Sequence, residues 1–269
     1  MLSLHVNLFL TAMTTYRIVL ISMIVIAVIV FFALFHVKAG YGYLSNGKWG
    51  PKINNRLGWI LMESPVFLLM LYMFLNSPRS EFASENIVFY AMSAPFFIHY
   101  FQRSFIFPLL IKGHGKMPLT IILMGVIFNT INAYMQGEWL YYLSPADRYT
   151  NEWLSDPRFL IGMLIFIAGF YINLQSDYII RNLRKPGDTK HYIPKGGMFK
   201  YVCSANYFGE LTEWVGFAIL TWSVPGAVFA LWTFANLAPR AKALDERYAQ
   251  EFGSEYTDLK RKYILPNIW

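Results

Sequence analysis

The feature that most constrains this chain is an uninterrupted apolar run near its start. Residues 18–37 read IVLISMIVIAVIVFFALFHV and contain no lysine, arginine or acidic side chain. A helix needs roughly 20 mostly apolar residues to cross the hydrocarbon core of a bilayer, and this run has that length. It is too long for the apolar part of a signal peptide and lacks the small-residue cleavage pattern. The run therefore predicts a transmembrane helix.

Composition places the rest of the chain in the same class. Only 14% of its residues are charged, against about 25% in soluble domains, and the mean hydropathy is +0.37. These values exclude a disordered tail and a basic nucleic-acid-binding domain, and the single Cys203 excludes a disulfide-stapled module. Further spans are predicted at residues 59–75, 87–111, 119–135 and 159–174, with two more within 206–238. Ser223-Val224-Pro225-Gly226 is a turn signal that divides the last pair. The prediction is an all-α integral membrane protein with seven transmembrane helices.

The distribution of basic residues agrees with that count. If alternate connections are assigned to one side of the membrane, 18 of the 23 lysines and arginines fall there. Cytoplasmic loops carry such an excess of positive charge. We therefore expect the N-terminus outside and the C-terminus in the cytosol. The membrane is either a bacterial inner membrane or the endoplasmic reticulum, because the sequence does not separate these two.

Several polar side chains lie inside the predicted spans, where each costs about 2.5–3.5 kcal/mol on insertion scales. One group lies early in the chain and comprises Glu63, His99, Tyr100 and Arg103. Two further groups lie at helical spacing, namely Asn173 with Asp177, and Asn206 with Glu210 and Glu213. Two structural interpretations stay open: Glu63 pairs with Arg103 between helices, and His99 is a packed, hydrogen-bonded histidine. The Glu-x-x-His pairs of four-helix carboxylate sites do not occur, which argues against a metal site.

A basic, glycine-containing loop follows the fifth predicted span. Arg181, Arg184 and Lys185 precede Pro186-Gly187, and Pro194-Lys195-Gly196-Gly197 follows. Such a loop holds phosphate groups or is attracted to anionic lipid, and the residues alone favour neither. The chain has no Rossmann or Walker motif, so a nucleotide would lie in a pocket within the membrane helices.

Residues 173–222 closely resemble the C-terminal half of steroid 5α-reductases. The specific motifs are SDYI-x-R-x-LRKPG, IP-x-GG-x-F-x-YV and SAN-x-x-GE-x-x-EW. Weaker similarity covers AGYGY from Ala39, ESP at Glu63, HYFQRSF around Tyr100, and NAYMQG from Asn132 to Gly137. The resemblance implies a full-length family member with seven spans.

That resemblance also implies a reaction and a set of roles. The family transfers hydride from NADPH to C5 of a 3-oxo-Δ4-steroid and then protonates C4. Glu63 and Tyr100 match the pair that binds the steroid 3-carbonyl. The matching cofactor-binding residues are Asn173, Asp177, Arg184, Asn206, Glu210, Arg103, Arg240 and Tyr248. No metal is implied.

The implied organisation is one domain over residues 1–269. Its substrate side lies mainly in 1–136 and its NADPH side mainly in 157–269. We expect the steroid to enter from the lipid bilayer, with membrane lipids as the other contacts, no nucleic-acid partner, and a monomeric protein.

Three positions depart from the family pattern. Met62 stands where the vertebrate enzymes have a glutamine before the carbonyl-binding glutamate, and it cannot donate a hydrogen bond. Leu244 stands where the family has a tail histidine, and His114 replaces an arginine. The first two leave the polarisation of the substrate and one cofactor contact open.

Other reaction classes stay open beside this one. Related reductases of trans-2-enoyl-CoA or polyprenal share the hydride chemistry and differ in the substrate half. A membrane S-adenosylmethionine-dependent methyltransferase shares a similar tail, around Asp245-Glu246-Arg247-Tyr248, but has Arg-His-Pro where this chain reads Val202 to Tyr207. A seven-helix receptor or transporter is disfavoured because the chain has no internal repeat.

Overall fold

The computed structural model describes residues 2–37, 49–79, 87–113, 115–184, 188 and 190–269, with side chains from residue 10 onward. Over these residues the chain is mostly helical, with almost no strands. The helices are α1 (Leu2–Ala33), α2 (Asn55–Leu75), α3 (Ile87–Phe101), α4 (Phe107–Leu110), α5 (Leu119–Gly137), α6 (Pro157–Arg181), α7 (Ala205–Thr221), α8 (Val224–Phe252) and α9 (Ser254–Thr257). Two short strands, β1 (Lys52–Asn54) and β2 (Lys116–Pro118), pair antiparallel.

Each segment predicted to span the membrane is helical over most of its length, though several ends are displaced, and residues 87–111 comprise α3, a π-helical segment and α4. The first helix ends at Ala33 rather than residue 37, and α6 continues to Arg181, beyond the predicted residue 174. Within the described chain, four helices are long and apolar enough to cross a membrane: Leu10–Ala33, Asn55–Leu75, Leu119–Leu143 and Pro157–Arg181. The protein is therefore an all-α, multi-pass membrane protein. The count of seven spans and the orientation stay predictions.

Some positions used in the sequence interpretation lie outside the described residues. These are Lys38 and Lys48, which belong to the 18 basic residues counted above, the AGYGY motif from Ala39, His114, and Lys185-Pro186-Gly187.

Within the described residues, α6 and α7 pack with their backbones in close contact. A Cβ added at Gly169 would lie 2.3 Å from the backbone nitrogen of Glu213, and one added at Gly209 would lie 2.5 Å from that of Asn173. Small residues allow two helix backbones to approach this closely, and membrane helices associate through such packing. The contact sets Asn173 and Asp177 on α6 directly against the start of α7.

The third helix changes its winding where it approaches the site. After α3 the chain makes a π-helical segment from Gln102 to Ile106, which contains Arg103, and then continues as α4. A π segment adds a residue to the turn and rotates the side chains that follow, and such segments are frequent at functional sites. At the same end, the β1–β2 pair joins the start of α2 to the start of α5. The side chain of Asn54 caps α2 by accepting from the backbone nitrogens of Arg56 and Leu57.

Candidate active site

A cavity of about 700 Å³ lies between the helices, and residues of α1 to α8 line it. Nine of the ten predicted site residues are on its wall: Glu63, Tyr100, Arg103, Asp177, Arg184, Asn206, Glu210, Arg240 and Tyr248. The tenth, Asn173, is buried beside it, and its side-chain amide donates to the carbonyl oxygen of Asn206 at 2.9 Å. Asn173 thus supports the start of α7. The tertiary structure gathers residues from five helices around one space, while their individual roles stay proposals.

One end of the cavity carries Glu63 on α2 and Tyr100 on α3, and we call it the carbonyl end after the role that the resemblance implies for these two residues. Glu63 is half-buried and Tyr100 is buried. The amide of Asn129 donates to Glu63 Oε2 at 3.1 Å, and the amide of Asn132 donates to the Tyr100 hydroxyl oxygen at 3.2 Å. Both asparagines lie on α5, and sequence reasoning assigned neither to the site.

Two buried polar pairs connect the third helix and the π segment that follows it to α7 and α6. His99 Nδ1 lies 2.7 Å from Glu213 Oε1, which joins α3 to α7. Arg103 donates to Asp177 Oδ2 at 3.2 Å, which joins the π segment to α6. His99 is therefore a buried, hydrogen-bonded histidine, as one sequence interpretation expected. The stripe predicted on α7 divides, because Asn206 and Glu210 face the cavity while Glu213 is fully buried against His99.

The other end of the cavity is basic, and we call it the basic end. It is lined by Arg181, Arg184 and Arg240, with Tyr248 and His191 beside them. Arg240 is buried, and its guanidinium lies 5.7 Å from the ring centroid of Tyr207. Side chains of this kind bind phosphate through charge-assisted hydrogen bonds. The side chain of Lys195 from the glycine-containing loop is instead 69% exposed and lies 3.8 Å from Glu255.

The wall between the two ends is largely aromatic and aliphatic. The Arg103 guanidinium lies against the rings of both Trp59 and Phe107, with ring centroids at 4.6 and 4.3 Å. Phe128, Phe229 and Trp232 add further apolar surface. A pocket that is mainly apolar with a few convergent polar groups is typical of a small-molecule site.

Sequence similarity to known proteins identifies the family of this chain. The family model described as 3-oxo-5-alpha-steroid 4-dehydrogenase matches residues 115–269. The chain is 44% identical over 220 residues to human 3-oxo-5-alpha-steroid 4-dehydrogenase 1, covering 81% of this chain and 82% of the human protein. It is 43% identical over 231 residues to that of Macaca fascicularis, covering 85% and 84% of the two chains. The steroid 5-alpha-reductase DET2 of Gossypium hirsutum is 36% identical over 260 residues, covering 95% and 98%.

This chain belongs to the 3-oxo-5-alpha-steroid 4-dehydrogenase family. It is therefore an oxidoreductase, and the resemblance inferred from the motifs of residues 173–222 is confirmed. The family model covers α5 to α9 and hence the basic end, together with Asn129 and Asn132. Glu63 and Tyr100 precede its match.

The C-terminal tail of this reductase supports Tyr248 from outside the cavity. The ring of Tyr248 stacks on Tyr256, with centroids 5.3 Å apart, and the Tyr256 hydroxyl donates to the carboxylate of Asp245. Burial raises the pKa of the neighbouring Cys203 thiol to about 12. Leu244 packs in the same cluster, so the position where the family pattern has a histidine is part of an apolar support for Tyr248.

Proposed function

We propose that this family member reduces the C4–C5 double bond of a 3-oxo-Δ4-steroid with a hydride from NADPH, giving the 5α-dihydrosteroid. The observation that carries the proposal is the shared cavity. Its apolar wall suits a rigid hydrocarbon skeleton, its carbonyl end offers a tyrosine hydroxyl and a carboxyl group, and its basic end offers arginines for phosphates. The relatives' names supply the substrate class.

The residues of the basic end fit a phosphorylated dinucleotide. The carboxylates of Asp177 and Glu210 accept hydrogen bonds, and the amide of Asn206 both donates and accepts them. These groups therefore suit the carboxamide and the ribose hydroxyls of a dinucleotide. Arg184 and Arg240 suit the phosphates, because a guanidinium binds phosphate oxygens with two parallel hydrogen bonds. Arg103 is fixed between these groups and the carbonyl end by its contact with Asp177. When bound, NADPH supplies the hydride.

The carbonyl end matches the charge that the reaction develops. Addition of hydride at C5 moves the electron pair of the C4–C5 bond towards the 3-oxygen, which becomes an enolate. Tyr100 and a protonated Glu63 donate hydrogen bonds to that oxygen, and preorganised donors of this type contribute more in a low-dielectric site than in water. The step is completed when C4 takes a proton and the carbonyl re-forms.

The proposed function includes a placement of the protein in the membrane. In the proposed arrangement, the chain has seven spans, with the N-terminus outside and the C-terminus in the cytosol. The membrane is either a bacterial inner membrane or the endoplasmic reticulum. The basic end then faces the cytosol, where NADPH is found, and the steroid enters from the bilayer. We propose that the protein acts as a monomer, because the described residues that line the cavity need no second copy to come together.

A substrate panel tests the proposal. The purified protein in lipid nanodiscs is supplied with NADPH and, separately, a 3-oxo-Δ4-steroid, a trans-2-enoyl-CoA and a polyprenal. We expect NADPH oxidation only with the steroid, with the 5α-dihydro product identified by mass spectrometry. Turnover with the enoyl thioester or the polyprenal and none with any steroid would reassign the substrate. Product formation that needs S-adenosylmethionine would instead indicate the methyltransferase.

A further inference from the structure

Three amide side chains form a row on the buried face of α5. Asn129, Asn132 and Gln136 are spaced three and four residues apart, so they share one face of the helix. They are 4%, 0% and 1% exposed, within a helix that is otherwise mostly apolar. Buried polar groups in a membrane helix are costly, so each requires a partner. We call these three residues the amide row.

Asn129 lines the cavity beside Glu63 and holds this carboxyl group by a hydrogen bond. Its Nδ2 donates to the backbone carbonyl of Met62 at 2.8 Å and to Glu63 Oε2 at 3.1 Å. The Met62 carbonyl oxygen can only accept a hydrogen bond, so the Asn129 amide must turn its nitrogen, and not its oxygen, towards it. Glu63 Oε2 is therefore the accepting oxygen, and a proton on this carboxyl is directed to Oε1. The Met62 side chain cannot perform this function because a thioether has no hydrogen to donate.

Asn132 holds Tyr100 in the same way. Its Nδ2 donates to the Tyr100 hydroxyl oxygen at 3.2 Å, so the hydroxyl hydrogen must point to another acceptor. Gln136 fixes the orientation of Asn132. The Gln136 Nε2 donates to the Pro225 carbonyl at 2.9 Å and to Asn132 Oδ1 at 3.3 Å. Because the Pro225 carbonyl only accepts, the nitrogen of Gln136 faces it, and Asn132 must present its own nitrogen to Tyr100.

We propose that Asn129 and Asn132 are the positioning residues of the carbonyl end. Each amide occupies an accepting oxygen of Glu63 or Tyr100, and so directs the proton of that group towards the substrate carbonyl. Both donors are set from one rigid helix, which fixes their separation as well as their orientation. This role rests on the proposed function, because it requires that Glu63 and Tyr100 bind a carbonyl oxygen.

Replacement by leucine tests the role directly. Leucine has a similar size to asparagine but cannot donate a hydrogen bond. Asn129→Leu and Asn132→Leu should therefore each lower kcat about 10–100-fold, as the loss of a residue that orients another functional side chain does. The KM for NADPH should change less than about 3-fold, because the basic end is untouched. Loss of orientation slows the hydride step, so the isotope effect with nicotinamide-deuterated NADPH should increase.

Thr130→Val is the matched control on the same helix. Thr130 is exposed and donates to the carbonyl of Val126 within α5, away from the cavity. It should retain wild-type kcat, KM and isotope effect. Asn129→Asp adds a second test for the case in which a leucine variant does not fold. It keeps the shape but replaces the donor with an acceptor, and should also lower kcat at least about 10-fold.

A rescue variant separates positioning from packing. In the Asn129→Leu background, Met62→Gln returns an amide beside Glu63 from α2, the arrangement of the vertebrate pattern. Met62 and glutamine have similar lengths, and the Met62 side chain lies against Gly125, where there is no Cβ. We expect kcat of this double variant to recover at least about 5-fold over Asn129→Leu.

The outcomes are distinguishable. Folded Asn129→Leu and Asn132→Leu proteins with wild-type kcat overturn the inference, as does an equal loss in Thr130→Val. A rise in the KM for NADPH with unchanged kcat in both leucine variants also overturns the inference. If the wild type itself turns over no steroid in the same assay, the proposed function is the part that has failed.

Discussion

The two ends of the cavity are held in place by different kinds of contact. At the basic end, α6 and α7 meet backbone to backbone through glycines such as Gly169 and Gly209, with no room for a methyl group. At the carbonyl end, α2, α3 and α5 are linked by side-chain amides and hydroxyls at 2.8 to 3.2 Å. The first interface depends on volume and the second on donors and acceptors. Substitutions of the interface glycines should therefore affect folding, and substitutions of the linked polar groups should affect turnover.

Gly169→Val should have the largest effect. Its Cβ would lie 2.3 Å from the Glu213 backbone nitrogen, so α6 and α7 must separate. Overpacking typically costs about 1–3 kcal/mol, and a backbone collision lies at the upper end. We expect little monodisperse protein on size-exclusion chromatography. Gly115→Ala is the control, because its Cβ would meet nothing closer than 3.8 Å. A well-folded Gly169→Val protein would contradict the backbone contact.

Tyr100→Phe and Glu63→Gln should leave folding intact and lower kcat. Removal of one donor to a developing oxyanion typically costs about 100–1,000-fold in rate. NADPH affinity, measured by fluorescence of the bound cofactor, should stay within about 3-fold of the wild type. Loss of cofactor affinity with unchanged kcat would move these residues to the cofactor site.

Asn206→Ala should show the opposite pattern. Its side chain lines the cavity, while its backbone carbonyl still accepts from Asn173, so α7 keeps its start. Loss of a ligand hydrogen bond is worth about 1.4 kcal/mol at most in a neutral pair, which is about 10-fold in affinity. The KM for NADPH should rise by about that factor, with kcat at saturation nearly unchanged. A selective fall in kcat would contradict the cofactor role.

Glu213→Gln should be milder than Gly169→Val, although the residue is fully buried. The amide can still form a hydrogen bond with His99 Nδ1, which Glu213 contacts at 2.7 Å. We expect a decrease of less than about 1 kcal/mol in the free energy of unfolding. Glu213→Leu removes the partner of His99 and should cost about 1–3 kcal/mol. The difference between the thermal midpoints of the two variants measures the effect of losing the hydrogen-bond partner of His99. Equal midpoints would contradict the pairing.

The smallest effect concerns Cys203, outside the spans. Burial raises the pKa of its thiol from 9.0 to about 12, so at pH 9 to 10 the folded protein keeps the proton that the unfolded chain loses. The corresponding stabilisation is fully present below pH 9 and is lost as the pH rises towards 12. Iodoacetamide at pH 9 should alkylate the folded protein far more slowly than the denatured protein. Equal rates would show that the thiol is accessible.

The sequence was sufficient to predict the helices and the family. An apolar run such as residues 18–37 has few alternatives in a bilayer, because length and hydropathy are local properties. The motif SAN-x-x-GE likewise indicated the family without any coordinates. Helix ends were less predictable, as Ala33 and Arg181 show, because hydropathy changes gradually across a membrane boundary.

Only the tertiary structure decided which polar residues meet. The sequence placed Asn206, Glu210 and Glu213 on one stripe, but packing of α3 against α7 buried Glu213 against His99 and left the other two facing the cavity. The amide row was visible as three polar residues at helical spacing in an apolar segment. Its partners Glu63 and Tyr100 lie on other helices, and contacts between helices depend on the rotation and depth of each helix. Those quantities are set by volume, as at Gly169, and no local pattern of residues specifies them.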